Sequence, residues 1–161
     1  MKFTPLLKGV ITGAAILVCT ILLSILKLPA SSGAQYLIYI LYAAGIGWTV
    51  LTYSKTSEFT GKFGQLFNQG FKTFIIVTLI MVVFTWVYCM VFPEFGDQMA
   101  PAYKEAMVKS GDLTPTQMDQ NVIEYRNSFT SQMVSMTIFQ YLVLGALFTA
   151  VWSIFIFIRR N

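Results

Sequence analysis

Four apolar runs constrain this chain more than any other feature. They cover about Gly9 to Leu26, Ala34 to Thr52, Thr73 to Phe92 and Val134 to Ile158, and none holds a charged residue. Lipid offers no partners for backbone N–H and C=O groups, so an apolar run of about 17 to 25 residues crosses a bilayer as a helix that satisfies them internally. The expected fold is all-α: a polytopic membrane protein with four transmembrane helices in an antiparallel bundle. Charged residues make up 11% of the 161, where a soluble domain carries roughly a quarter. One domain, residues 1–161, is expected.

The basic residues orient the spans. Lys2 and Lys8 precede the first run, Lys55, Lys62 and Lys72 lie between the second and third, and Arg159-Arg160 follow the fourth. Short loops rich in lysine and arginine stay in the cytoplasm, so both termini are expected there. On the other side stand Lys27 and a long insert, about 94–133. Six acids (Glu94, Asp97, Glu105, Asp112, Asp119, Glu124) against Lys104, Lys109 and Arg126 leave that insert at −3. Trp48, Tyr53 and Trp152 toward one interface, and Tyr36, Tyr39 and Tyr88 toward the other, fit the aromatic belts of a bilayer. The first run mimics a signal peptide, with Ser32 and Ala34 as a false cleavage site. Its apolar core is too long for one, and a mature helix is expected.

The insert is patterned. "TPTQ" reads as a helix start, with Thr114 capping, Pro115 in the first turn and Gln117 completing a capping box. No glycine or proline follows from Thr116 to Leu144, which predicts one continuous helix from about Pro115 to Ile158. "PEFGDQMAPAYKEAMVKSG" reads as its partner helix, with Glu105 and Lys109 at favourable i,i+4 spacing, a stop at Gly111, and breaks or kinks at Pro93 and Pro101. Together they predict an extracytoplasmic helical hairpin extending the third and fourth helices. Joining two spans requires far fewer residues than this insert contains. It is therefore read as a docking surface around Tyr103, Met107, Met118, Val122 and Tyr125. The other loop, about 54–72, carries Phe59, Phe63, Phe67 and Phe71 every fourth residue with Lys62 among them. That spacing suggests an amphipathic membrane-interface segment, or simply the entry to the third span.

Small residues at GxxxG-like spacing let membrane helices approach closely. Gly9 and Gly13, Ala43 and Gly47, and Gly145, Thr149 and Ser153 are the expected packing positions, within the bundle or between copies in a homo-oligomer. Gln140 is the most polar residue well inside a run, and Thr20 or Ser24 of the first run are its expected partners. Cys19 and Cys89 both fall in apolar runs and read as small buried hydrophobes.

Several classes are excluded. With no histidine, the commonest general base and metal ligand is missing. There is no basic tract for nucleic acid and no phosphate-binding glycine motif. Glu94, Asp97 and Glu124 form the one acidic cluster, read as a solvated face. Met99, Met107, Met118 and Met133 read as packing. No enzyme activity, cofactor or metal is expected.

Phe63, Gly64, Gln65, Phe67, Gly70 and Phe71 in "KFGQLFNQGFKT", with "FPEF" and "GDLTPTQMDQ", make the chain similar to a domain-of-unknown-function family of small four-span bacterial inner-membrane proteins. The resemblance covers nearly the whole chain. It implies the topology and a bacterial inner-membrane location, and supplies no activity. The functional expectation is a non-enzymatic accessory protein that sits in the bilayer and docks a membrane or envelope protein through its hairpin. The alternative is a small oligomeric channel or transporter for a neutral or apolar solute.

Overall fold

The computed structural model of the chain describes residues 3–26, 33, 35–110 and 114–160. Among them are five α-helices: α1 (Pro5–Ile25), α2 (Gln35–Ser54), α3 (Phe63–Val91), α4 (Glu94–Ser110) and α5 (Pro115–Arg160). Four of these, α1, α2, α3 and α5, are long and apolar enough to cross a membrane. The smaller part of each apolar stretch is buried, and Leu6, Val10, Ile40, Leu79, Val83, Val151 and Ile158 are exposed. A surface that apolar is suited to lipid and not to water.

Local chemistry explains the helix ends. Thr4 caps α1, its hydroxyl accepting from the Leu7 N–H at 3.3 Å, and Pro5 fills the first helical position. The same Thr-Pro pair starts α5, where the Thr114 hydroxyl accepts from the Gln117 N–H at 3.4 Å and the Gln117 side chain accepts from the Thr114 N–H at 3.0 Å. Before α3, Gly61 takes a φ of +80°, which side-chain-bearing residues avoid. Thr60 then donates from its backbone to Gln65 Oε1 at 3.0 Å. α3 therefore begins at Phe63, ten residues before the apolar run. Its 29 residues span about 43 Å at 1.5 Å per residue. Pro93 falls between α3 and α4, whereas Pro101 lies inside α4, which runs through it. α5 is continuous over 46 residues, as the absence of breakers predicts. Lys2, Lys27 and Asp112, the expected stop at Gly111, and the false cleavage site at Ser32 and Ala34 lie outside the described residues.

The chain packs as two compact units, Met1–Met81 with Ile138–Asn161, and Val82–Thr137. In the first, glycines set how closely helices meet. A Cβ on Gly9 of α1 would stand 2.9 Å from both the Thr73 carbonyl oxygen and the Ile76 Cβ of α3. One on Gly145 of α5 would stand 2.7 Å from Phe74 Cγ and would also overlap the Tyr42 hydroxyl. Gly45 of α2 receives Thr12 of α1, and Gly70 of α3 receives Thr149 of α5. Tyr42, wholly buried, donates to the Tyr141 carbonyl at 2.9 Å, and Trp152 donates to the Ala43 carbonyl at 2.9 Å. These bonds tie α2 to α5.

In the second unit α4 lies along the first half of α5 with residue numbers running oppositely. Phe95 meets Phe129 edge-on at 5.8 Å, and Tyr103 stacks on Tyr125 at 4.2 Å. Arg126 pairs with Asp97 at 3.3 Å and Lys104 with Asp119 at 2.6 Å. Lys104 and Arg126 thus reach across to the facing helix. The Glu105–Lys109 pairing expected along one helix is not among the ion pairs of the described residues.

Gly9→Val is expected to lower thermal stability in detergent by about 1–3 kcal/mol, because neither a carbonyl nor a backbone-anchored Cβ can yield. Gly64, with open space around it, supplies the contrast, and Gly64→Ala should leave stability within about 0.5 kcal/mol. Paired melting curves of the two variants check both.

Candidate functional site

The first unit holds a cavity of about 630 Å³. Three elements build it: the start of α1, the last turns of α2 with the turn that follows, and Gln69 and Lys72 of α3. Lys8 is its key residue. An apolar count starts the first span at Gly9 and leaves Lys8 in a polar tail. The Thr4-Pro5 start instead winds the helix four residues earlier and carries Lys8 into it. Lys8 is only 6% exposed. Its ammonium donates to the Thr52 hydroxyl and lies 5.4 Å from the centre of the Trp48 ring. Phe3 also meets the Trp48 ring, tilted, at 6.0 Å between centroids.

An ammonium carries three donors. Thr52 accepts one, and the face of Trp48 supplies a cation–π contact. No carboxylate pairs with Lys8 among the described residues. A buried charge ordinarily has an ionic partner. Lys72 adds a second, exposed cation on the cavity wall, and Glu58 adds one acid. Thr4, Thr52, Thr56 and Gln69 contribute neutral polar groups.

Behind the cavity lies a hydroxyl-rich seam. Thr73 donates to Thr49 Oγ1 at 3.0 Å, with the Pro5 carbonyl at 3.2 Å as a second acceptor. Thr149 and Ser153 are fully buried, and their hydroxyl oxygens have no hydrogen-bond partner among the described residues.

The expected docking residues are only partly free. Met107 is buried and accepts a weak bond from Asn121 Nδ2 at 3.8 Å. Tyr103 and Tyr125 face each other in their stack, and Met118 and Val122 are half-buried. The stripe at helical spacing is thus largely the seam between α4 and α5. Met99, Tyr103, Val108, Ile123 and Met136 of that pair keep exposed apolar surface. Met99 shares the face of Tyr103, one turn away, and Val108 lies on the opposite side of α4.

The packing residues are where close approach requires them. Gly9 meets α3, Gly47 meets Trp152, Gly145 meets Tyr42 and Phe74, Thr149 meets Gly70, and Ala43 accepts from Trp152. Ser153 is buried. Gln140 bonds the Tyr39 hydroxyl of α2 at 2.7 Å, and not Thr20 or Ser24, since α5 turns that face toward α2. Thr20 instead bonds back to the Ile16 carbonyl of its own helix. Phe63, Phe67 and Phe71 line the outer side of the first turns of α3, while Leu66 and Gly70 turn inward. Phe59 lies in the preceding turn, 6.1 Å from Tyr53, and Lys62 is exposed just ahead of α3. Among the described residues the 54–72 segment forms a turn and the entry to a span, with no separate interfacial helix. Both cysteines are free thiols.

The family described as "Protein of unknown function (DUF4199)" matches residues 8–157, and the chain belongs to it. No curated protein and no solved structure matches the chain.

Thr52→Val, which removes the Lys8 acceptor and keeps the shape, should cost about 1–3 kcal/mol, the penalty for a buried donor left unsatisfied. Thr52→Ser should restore most of it. Thermal unfolding in detergent reads both.

Proposed function

We propose that this DUF4199 member is a non-enzymatic, four-span protein of the bacterial inner membrane, with both termini cytoplasmic. In this reading α1, α2, α3 and the later part of α5 form an antiparallel bundle. α4 and the first part of α5 form an extracytoplasmic hairpin that docks a membrane or envelope protein. The observation that carries it is the independent packing of residues Val82–Thr137 as a compact unit, with its own aromatic seam and two cross-helix ion pairs. A connection with no role beyond joining spans needs no core of its own.

The partner's chemistry follows from what the hairpin leaves exposed. Asp97 and Asp119 are engaged by Arg126 and Lys104. Glu94, Glu105 and Glu124 are exposed and make no ion pair among the described residues. Glu94 and Glu105, three turns apart on one face of α4, make with Glu124 an acidic surface suited to a basic protein surface. They do not suit an anionic lipid surface, which would repel a segment of net charge −3. Complementary charge steers such encounters and selects among partners.

A triple variant, Glu94→Gln, Glu105→Gln and Glu124→Gln, should keep the fold, because these side chains are exposed and make no ion pair among the described residues. It should lose site-specific photocrosslinks to a neighbouring envelope protein that wild type makes through a probe at Lys109. Unchanged crosslinks in the triple variant, or an equal yield after Glu94–Met133 is replaced by a Gly/Ser linker carrying the probe, would sink the docking reading.

A further inference from the structure

We infer that the cavity around Lys8 is a binding site for the phosphate of a glycerophospholipid headgroup. Lys8 supplies the first reason. It is a buried ammonium held by a hydroxyl and an indole face, with no carboxylate paired to it among the described residues. Both contacts stabilise the cation and neither neutralises it. An anion entering the cavity completes the arrangement through the ammonium's remaining donors, and charge-assisted bonds of this kind are among the strongest available.

The second reason is the shape of the donor set. Lys8 and Thr4 line the cavity from the start of α1, and Lys72 and Gln69 line it from α3. Donors on two facing helices match a tetrahedral phosphodiester, whose oxygens do not share one plane as those of a carboxylate do. The start of α1 adds the positive end of a helix dipole.

The third reason separates a lipid from a free phosphate. The cavity is built by the ends of three helices that are long and apolar enough to span a bilayer, the depth at which headgroups lie. Trp48 and Tyr53 line it, as aromatic side chains do at that level. Phe3, Leu6 and Val10 form an exposed apolar ridge leading away from it along α1. An acyl chain can lie on that ridge while its phosphate sits on the lysines. Glu58, also on the cavity wall, favours a headgroup that carries an ammonium beyond the phosphate.

Native mass spectrometry of the full chain released from detergent tests this, with added phosphatidylethanolamine, phosphatidylglycerol or, as a soluble arm, glycerol 3-phosphate. Wild type should retain one phospholipid, and Lys8→Met and Lys72→Gln should each weaken retention about tenfold, the effect of losing one charge-assisted bond. Lys109→Gln, on α4, should change nothing, and Glu58→Gln should shift preference from phosphatidylethanolamine toward phosphatidylglycerol. Lys72 is exposed, so its variant speaks even if the Lys8 variant fails to fold. Lysine-dependent binding of glycerol 3-phosphate without lipid retention would keep the phosphate site and overturn the lipid as its source. No retention in either arm, or retention that ignores both lysines, would overturn the site.

Discussion

Helices in lipid gain nothing by burying leucine against leucine, because the surrounding chains are equally apolar. What holds this chain's first unit together must therefore be close backbone approach and the few polar bonds made across helices. Gly9 against Thr73 and Ile76, Gly45 against Thr12, Gly70 against Thr149 and Gly145 against Tyr42 and Phe74 provide the first. Tyr42 to the Tyr141 carbonyl, Trp152 to the Ala43 carbonyl, and Thr73 to Thr49 provide the second. The two are coupled. Tyr42 can reach the Tyr141 backbone because Gly145, one turn further along α5, leaves room for its ring. Lys8 can reach Thr52 because Thr12, one turn along α1, seats itself on Gly45. The cavity is thus a consequence of the same contacts that fix the distance between α1 and α2.

The second unit relies on different physics. It is built from residues with ordinary soluble-protein chemistry: an aromatic seam, a methionine turned inward and ion pairs at its margin. The ion pairs are exposed, and such pairs contribute little stability. Their value is register, since Lys104 to Asp119 and Arg126 to Asp97 are both satisfied by a single alignment of α4 on α5. The seam supplies the cohesion.

Much of this was legible in the sequence. The four apolar runs, the continuous α5 and the partner helix α4 follow from length, capping residues and the placement of glycine and proline. Those are local properties. What was not legible depended on azimuth, the direction a helix turns each face. A stripe at helical spacing shows that a face is apolar without showing what covers it, so Met107 and Tyr125, expected on a docking surface, turn out to pack between α4 and α5. Gln140 bonds Tyr39 on the second span and not the first, for the same reason. Lys8 escapes the apolar count for a different reason. Counting only apolar residues began the span at Gly9 and overlooked Thr4-Pro5, the same start signal that correctly located α5 at Thr114-Pro115. Applied evenly, that one rule would have put a lysine inside the helix and raised the question of its partner.

That question bears on the fold as much as on function. A lysine within a membrane helix is costly, and such residues persist where a partner or a polar cavity receives them. The Thr52 hydroxyl and the face of Trp48, both on α2, receive this one from α1, and no carboxylate pairs with it among the described residues. An anion seated there would lie between the two helices and bind both of them to itself. Its removal would leave the cation with only dipoles for company, and the cost would fall on the contact between α1 and α2. Occupancy of the cavity would therefore favour the packing of Thr12 on Gly45, because a ligand stabilises the arrangement it binds.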